Sequence, residues 1–272
     1  MNIKQIPNKV KQTIEKYKLC SKKDKVLVAL SGGKDSSSVL YLLKKFGYKV
    51  EGFHINLGIS GYSERCLDSI RKLCDELDVK LHVYEMRKEQ GGSMCYIRTG
   101  VQSKEKLNNC AVCGVVKKWV MNKEARKLKA DKIATGHNLD DEAQTVLMNF
   151  FKGNLDLSIN SKPIVGVVVD KKFVPRIKPL FFIPEDDVRT FALDKKIEHI
   201  SEPCPCALDS YRIKTRKFLN TVDGKEKLNI VNNNLEMMKD KKVSSEVKYC
   251  EVCGEPSRGE ICKKCKMLGS KI

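Results

Sequence analysis

The sequence predicts an α/β protein with a parallel sheet, followed by a small cysteine-rich module toward the C-terminus. Three observations predict it: short apolar segments alternate with helical segments, a turn with two glycines joins the first strand to a helix, and cysteines pair near the end of the chain. This alternation is typical of βαβ units, whose strands are parallel. The 272 residues are enough for one such core and an appended module.

The predicted elements follow one another in βαβ order. A first helix over residues 9–18 carries its apolar side chains on one face. Apolar segments predict strands over residues 25–30, 49–55, 79–84 and 131–137, and helical periodicity predicts helices over 37–46, 63–77, 115–130, 140–153 and 184–196. Residues 85–109, which are polar and include three glycines, are expected to form a long loop. The basic segment 207–240 is predicted to be helical.

The chain is strongly basic. Lys and Arg number 52 against 34 Asp and Glu, a net charge of +18 that is spread along the whole sequence. Basic surface attracts phosphate backbones, so a polyanionic partner is favoured over a role in solubility alone. No run of 18 apolar residues occurs, which excludes a spanning helix. The first twelve residues lack the apolar segment of a secretory signal, so a cytoplasmic protein without membrane contact is expected.

Twelve cysteines occur, and eight of them fall in tight groups: Cys110 and Cys113, Cys204 and Cys206, and Cys250, Cys253, Cys262 and Cys265. Structural disulfides are not expected in the cytosol, where thiols stay reduced, so the grouped cysteines predict metal sites. Two scattered cysteines, Cys66 and Cys74, lie in an amphipathic segment and are predicted to be buried as small apolar side chains.

The last four cysteines predict a zinc ribbon. Their spacing, C-x2-C-x8-C-x2-C, pairs two knuckles, and four thiolates around a tetrahedral zinc ion close the site to other ligands. A module of about 25 residues with little apolar content needs a metal to fold, so this zinc is expected to be structural. Its basic residues predict an RNA contact, with a solvated surface as the alternative: Arg258, Lys263, Lys264 and Lys266.

The strongest local signal is the segment SGGKDS, between the first strand and its helix. Gly32 and Gly33 let the backbone turn sharply and approach a ligand closely. The free N–H groups and positive dipole end of the next helix favour an anion, Lys34 adds a charge, and Ser31 and Ser36 add hydroxyl donors. The Walker pattern GxxxxGK[ST] does not occur. A phosphate-binding loop of another type is therefore predicted.

Four segments resemble one family of enzymes, in the right order. SGGKDS after an apolar strand resembles the pyrophosphate loop of enzymes that split ATP into AMP and pyrophosphate. ATGHNLDDEAQT (134–145), PRIKPLFFIPEDDV (175–188) and CEVCGEPSRGEICKKC (250–265) resemble successive segments of the TtcA/TtuA-type tRNA thiolases, and the last resembles the zinc module of the TtuA-type members. The resemblance runs from about residue 10 to residue 268.

This resemblance implies a Rossmann-like fold of the adenine-nucleotide α-hydrolase type, with ATP and tRNA as substrates and a 4Fe-4S cluster. In the implied reaction, ATP with Mg²⁺ adenylates a uridine at C2, and sulfur held by the cluster displaces AMP to give 2-thiouridine. A sulfur donor, either sulfide or a thiocarboxylated ubiquitin-like carrier, and a homodimer are also expected. The implied nucleotide-binding residues are Ala29, Leu30, Ser31, Gly32, Gly33, Lys34, Asp35, Ser36, His54 and Gly136.

The cluster cysteines of the family are two from a C-x-x-C pair and one that precedes a proline. Here these are Cys110, Cys113 and Cys204. Three thiolates leave one iron of the cluster without a protein ligand, as an open site for hydrosulfide. A four-cysteine zinc site that includes Cys206 is the alternative.

Further polar residues are expected near the reaction centre. Lys117 lies one helical turn after Cys113, and the resemblance favours an ammonium that stabilises developing negative charge over a solvated surface lysine. Asp141, among the acidic residues that start a helix, is implied to reach the cluster or the sulfur species. His54 and His137 are each expected at the ligand edge of the sheet, where a structural role is an equal alternative.

The expected organisation is an N-terminal helix (1–22), a pyrophosphate-loop catalytic domain (23–205), a basic helical extension (206–245) and the zinc ribbon (246–272). TtuA-type members carry another zinc module before the first helix. Only Cys20 lies in that region here, so the resemblance leaves open how tRNA docks and which position is modified. Two alternatives remain: a pyrophosphate-loop tRNA-modifying ligase or amidotransferase with structural zinc, and a non-catalytic iron–sulfur RNA-binding protein.

Overall fold

A six-stranded sheet lies at the centre of the molecule. The structure, a computed structural model, describes residues 3–103, 107–166, 170, 172–207, 212–241 and 247–269. The strands are β1 (Lys25–Leu30), β2 (Lys49–Asn56), β3 (Leu81–Glu85), β4 (Lys132–Ala134), β5 (Ile164–Val165) and β6 (Arg176–Ile177). Their order is β3-β2-β1-β4-β6-β5, and each neighbouring pair is parallel except β5 with β6. The predicted α/β class is therefore confirmed.

Helices cover both faces of this sheet. They are α1 (Ile6–Lys16), α2 (Lys34–Lys45), α3 (Tyr62–Glu76), α4 (Met86–Glu89), α5 (Met94–Gln102), α6 (Asn109–Lys127), α7 (Leu139–Phe151), α8 (Glu185–Asp194), α9 (Arg212–Leu219), α10 (Gly224–Met237) and α11 (Lys263–Leu268). Two short strands, β7 (Lys248–Tyr249) and β8 (Pro256–Ser257), form a separate hairpin before α11. Within the described ranges, no helix is long and apolar enough to cross a membrane.

The central strand β1 is apolar on both sides. Val26 and Val28 belong to the core layer that contains α1, α2, α3 and α8, whereas Leu27 belongs to the layer that contains α5 and α6. All three side chains are fully buried. A strand between two helical layers needs apolar residues at successive positions, because neighbouring side chains point to opposite faces.

The long loop expected over residues 85–109 is wrong, because the segment contains the helices α4 and α5. Three buried side chains of α5 recur at helical spacing, Met94, Ile97 and Val101, and the hydroxyl of Ser93 caps the N-terminus of this helix. Burial of this apolar face outweighs the cost of a glycine in a helix, which is about 1 kcal/mol. The segment therefore packs α5 against α6 instead of crossing the surface.

Helix α6 begins earlier than predicted and includes both cysteines of the C-x-x-C pair. The side chain of Asn108 caps it and accepts the N–H of Ala111, with a donor–acceptor distance of 2.8 Å. Cys110 and Cys113 therefore lie in the first turns of a helix, near its N-terminus.

The basic segment 207–240 forms two helices where it is described, α9 and α10; residues 208–211 lie outside the described part of the chain. The carboxylate of Asp223 caps α10 together with Glu226. Both helices pack on α7, and Leu219 and Val231 are buried against it.

The buried ion pair between Lys178 and Glu142 joins the segment after β6 to α7. Its N···O distance is 2.7 Å, and the two residues are 8% and 1% exposed. The hydroxyl of Ser161 donates to the other oxygen of the same carboxylate at 2.6 Å. The pair is buried and hydrogen-bonded, so removing one partner strands a charge in the interior.

We expect Glu142→Gln to lower the free energy of unfolding by about 3–5 kcal/mol, because it leaves the Lys178 ammonium buried without its carboxylate. The matched control is Glu236→Gln, which removes one partner of an exposed pair with Lys239 and should cost less than about 1 kcal/mol. Chemical denaturation of the two variants measures this difference, and equal costs would contradict the assignment.

Candidate active site

The loops after β1 and β4 meet at the carboxyl ends of the strands. β1 lies between β2 and β4, so chain connections leave it toward both sides of the sheet. Ligands of open parallel sheets bind at such a point of reversal. The ten residues predicted to bind the nucleotide lie around it: Ala29 and Leu30 end β1, Ser31, Gly32 and Gly33 form the turn, Lys34, Asp35 and Ser36 begin α2, His54 lies in β2, and Gly136 follows β4.

The turn after β1 is held by the hydroxyl of Ser36. This oxygen accepts the N–H of Ser31 and donates to the carbonyl of Gly33, both at 3.1 Å. In the described chain no side chain caps α2, so the helix presents free N–H groups at its N-terminus. Such groups, with the helix dipole, form an anion site.

Two glycines allow the close contacts around this turn. Gly32 has a φ of +89°, and a Cβ atom there would lie 3.0 Å from the Cβ of Cys66. A Cβ on Gly136 would lie 2.6 Å from the backbone nitrogen of Ser36, which is closer than real Cβ contacts come. The loop after β4 thus rests directly on the first turn of α2.

Lys34 does not extend freely over the loop. Its ammonium lies 3.0 Å from Asp35 and 3.1 Å from Glu185. Burial acts to lower the pKa of Lys34, but the two carboxylates outweigh it and raise that pKa above its usual value. Burial raises the pKa of Asp35, partly offset by Lys34 and by the side-chain amide of Asn138, which donates to it at 3.2 Å. The loop is therefore internally charge-balanced.

His54 lies beneath the loop and is 5% exposed. Its Nδ1 is 2.9 Å from the carbonyl oxygen of Leu30, whereas Nε2 is buried and has no partner among the described residues. Burial lowers the pKa of His54 below 6.5, and the nearby charge of Lys117 lowers it further. A buried imidazole nitrogen without a partner is suited to a hydrogen bond with a bound ligand.

The acidic start of α7 is neutralised by the basic extension. Asp141 accepts the N–H of Asn138 and lies 3.2 Å from Arg212, and burial raises its pKa against the effect of this guanidinium. Asp140 pairs with Lys227 at 2.8 Å. These partners were missed from the sequence, because the residues are far apart along the chain. The predicted role of Asp141 at the sulfur species stays a prediction.

The segment that carries Cys204 is hydrogen-bonded to the phosphate loop. The N–H of Ile200 donates to the carbonyl of Gly32 at 2.8 Å, and Ile200 forms a parallel bridge with Gly33. This contact places Cys204 beside the N-terminal end of α6. The thiols of Cys204 and Cys113 lie within electrostatic range of one another and of Cys110.

Lys117 lies in α6, one helical turn after Cys113. Its ammonium lies within electrostatic range of Cys113, Cys204 and His54. Burial raises the pKa of the Cys113 thiol, and Lys117 acts against that rise. The three cysteines and the lysine that the sequence singled out thus lie within electrostatic range of one another, although the three sulfurs do not all lie within 4.8 Å of one another.

Cys206 also lies within electrostatic range of Cys204. Its thiol is next to Cys95 and to the guanidinium of Arg98. Cys110 and Cys113 lie in α6, whereas Cys204 lies in the segment after α8. Three thiolates from two separate segments suit an iron–sulfur cluster, which is wider than a single metal ion.

His137 lies on the loop after β4, and its Nδ1 is 2.8 Å from the hydroxyl oxygen of Thr135.

The four cysteines of the ribbon converge. The sulfurs of Cys250, Cys253, Cys262 and Cys265 all lie within 4.8 Å of one another, and no other group of three or more His, Cys, Asp or Glu side chains does so in the described chain. The N–H of Cys262 donates to the Cys250 sulfur at 3.2 Å, as expected around metal-bound thiolates. These residues fit one tetrahedral metal ion. Elsewhere, Cys66 and Cys74 are buried, as predicted.

The fold and the loop define a nucleotide-binding protein of the pyrophosphate-loop class, with a thiol centre beside the loop. The PP-loop domain family matches residues 3–220, and the chain belongs to that family. A phosphate-binding loop at the point of reversal in the sheet explains both the glycine-rich turn and the helix without a side-chain cap.

Individual relatives are similar over most of the chain. The tRNA-5-methyluridine(54) 2-sulfurtransferase of Pyrococcus horikoshii is 38% identical over 269 residues, which covers 97% of this chain and 84% of the relative. The tRNA 2-thiolation protein NcsA of Haloferax volcanii is 31% identical over 264 residues, 90% of this chain and 81% of the relative. The structure of the U34-tRNA thiolase NcsA from Methanococcus maripaludis with its [4Fe-4S] cluster matches with a TM-score of 0.81 and 29% identity, over 97% of this chain and 86% of that one.

We expect Gly136→Ala to weaken ATP binding at least about tenfold, a loss of about 1.4 kcal/mol, because the added Cβ must push the loop away from Ser36. Gly100→Ala is the control, since a Cβ there meets nothing within 4 Å and should stabilise α5 by about 0.5–1 kcal/mol. Calorimetric titration measures the ATP affinity of the two variants. Unchanged affinity in Gly136→Ala would contradict the close approach of the loop to Ser36.

A pH dependence follows from His54. Its pKa is lowered in the folded protein, so the unfolded chain binds the proton first as pH falls below 6.5, and stability present above that pH is lost. As the pH falls from 7.5 to 5.5, it crosses the ordinary histidine pKa of about 6.5. Over this range we expect the free energy of unfolding to fall less steeply in His54→Gln than in the unaltered protein. Denaturant titrations at these pH values measure the two slopes; identical slopes would rule out this contribution.

Proposed function

We propose that this protein is an ATP-dependent tRNA sulfurtransferase that converts a uridine of tRNA to 2-thiouridine. One observation carries the proposal: the hydrogen bond from Ile200 to Gly32 holds the Cys204 segment against the phosphate loop. An activated nucleotide at the loop and a sulfur atom at the cysteines are thereby brought to the same edge of the sheet. The names of the relatives support tRNA as the substrate.

The protein's own groups suit the first step, in which the uridine C2 oxygen attacks the α-phosphorus of ATP. An O–P bond forms and pyrophosphate leaves. The free N–H groups at the start of α2 bind the phosphates, and the unpartnered Nε2 of His54 provides a hydrogen bond beneath the loop. Mg²⁺ is proposed to accompany ATP, with Asp35 as the nearby carboxylate. The close contact of Gly136 with α2 keeps the loop in register.

In the second step sulfur attacks C2 of the adenylated uridine, the C2–O bond breaks, and AMP leaves. Lys117 lies within electrostatic range of the cysteines and His54, so its ammonium stabilises the negative charge that develops between the two sites. Cys110, Cys113 and Cys204 would hold the 4Fe-4S cluster, which supplies a soft iron site for sulfide when it is bound. Zinc is proposed in the ribbon, where it has a structural role.

The remaining features are proposed on the same basis. The sulfur donor is sulfide or a thiocarboxylated ubiquitin-like carrier, and assays with each one separately distinguish them. A homodimer is supported by the exposed rings of Phe150 and Phe151, which are 63% and 57% exposed, and light scattering measures it. A cytoplasmic location is supported by relatives named as cytoplasmic tRNA 2-thiolation proteins.

The test is metal content and thionucleoside formation in protein purified without oxygen. We expect Cys110→Ser and Cys204→Ser to lose iron and thiolation while they retain zinc, and Cys250→Ser to lose zinc. Cys206→Ser is the matched control, because its thiol lies near both Cys204 and Cys95 but is not in the proposed cluster set. It should retain iron.

Zinc in place of iron, lost on substitution of Cys206, would establish the four-cysteine zinc site instead. Pyrophosphate release that depends on tRNA, without any thionucleoside, would indicate the ligase or amidotransferase. Mapping the thionucleoside by nuclease digestion identifies the modified position.

A further inference from the structure

A cleft of about 670 Å³ lies between α6, β6 and the ribbon, away from the phosphate loop. One acidic side chain lines it, Glu255, and the guanidinium of Arg126 binds both of its carboxylate oxygens at 2.5 and 2.8 Å. The positive charge of the cleft is therefore uncompensated within the described chain. Six basic side chains line it: Lys118, Arg176, Arg258, Lys263, Lys264 and Lys266.

Donor groups in this cleft have no acceptor. The indole N–H of Trp119 is buried without a hydrogen-bond partner in the described residues. The ammonium of Lys264, on a residue only 4% exposed, lies 4.4 Å from the centre of the Trp119 ring and has no carboxylate partner in the same ranges. A buried cation and a buried N–H without acceptors are costly. The wall of the cleft thus contains donor groups that no acceptor of the described chain satisfies.

Two cations at the centre of the cleft oppose one another. Enclosure by the walls lowers the pKa of Lys118, and the neighbouring charges of Arg176 and Lys263 lower it further. Burial also lowers the pKa of Arg176. Neither side chain has a hydrogen bond or ion pair in the described part of the protein. Repulsion of this kind destabilises the free fold, which is a common feature of ligand sites.

We propose that this cleft binds the phosphodiester backbone of RNA, with Lys118 and Arg176 as the central phosphate ligands. The inference rests on the proposed function, since it gives the place where the tRNA substrate docks. The cations come from three elements and continue onto the exposed face of the ribbon through Arg258 and Lys266. Six cations on one cleft carry more charge than one small anion needs and match a chain with a charge at every nucleotide.

The position of the cleft fits delivery of a nucleotide to the cysteine centre. Lys118 lies five residues after Cys113 on the same helix, a distance of about 8 Å along the axis. Lys117, the residue before it, lies within electrostatic range of Cys113 and Cys204. An RNA backbone held at Lys118 therefore contacts the same helix that carries Cys110 and Cys113.

The test uses full-length protein, fluorescently labelled tRNA and no ATP. We expect the double variant Lys118→Gln/Arg176→Gln to bind tRNA at least about tenfold more weakly, with the slope of log K against log salt reduced by about two. Lys118→Arg should retain binding. The matched control is Lys72→Gln/Lys80→Gln, which removes two exposed charges; α3, which carries Lys72, packs on the opposite layer of the sheet. It should bind within about twofold of the unaltered protein.

Thermal unfolding without RNA separates this role from a structural one. The double variant should unfold at the same temperature or higher, because it relieves repulsion, whereas structural residues would lower that temperature. The proposal is overturned by unchanged tRNA binding in the double variant, or by inorganic phosphate alone stabilising the unaltered protein as much as tRNA does. Charge-dependent binding by a protein that forms no thionucleoside would support this inference and refute the proposed function, so the two failures are distinguishable.

Discussion

The hydrogen bond from Ile200 to Gly32 is the contact on which the rest of the site depends. Gly32 can accept it because its φ of +89° turns the loop so that its carbonyl faces the segment after α8. The same residue has no room for a Cβ, which would meet Cys66. One backbone carbonyl therefore sets the distance between the phosphate loop and the segment that brings Cys204. Any substitution that moves this loop also moves the segment that carries Cys204.

Charge balance is the second constraint. The start of α7 and the start of α8 place several carboxylates near the phosphate loop, where they would repel ATP. Cations from the basic extension lie on them: Lys227 contacts Asp140, and Arg216 contacts Glu185 at 2.7 Å. The extension is thus more than a binding surface for a polyanion, because it neutralises acidic groups that the nucleotide must approach.

The elements that could be predicted from the sequence are those with local signals. β1 is apolar on both faces, and the SGGKDS turn and the C-x-x-C knuckles bring their chemistry within a few residues. Helix α5 was missed because Gly100, which lowers helix propensity, can be seen in the local sequence. The burial of the apolar face of α5, which stabilises the helix, depends on packing against α6 and cannot be seen there. The partners of Asp140 and Asp141 were missed for the same reason: Lys227 is 87 residues from Asp140 along the chain, and no pattern in the sequence pairs them.

The two cysteine centres differ in how much of the chain each must close. The ribbon draws its four thiols from a span of 16 residues, whereas Cys113 and Cys204 are separated by about 90 residues and the entropy of closing a loop rises with its length. The ribbon can thus capture its metal as a local event, without thiols from any other part of the chain. The three-thiol centre comes into being only when β1, α6 and the segment after α8 are all in place. That centre can therefore be occupied only after the fold has formed, and a cluster would be inserted into the folded protein.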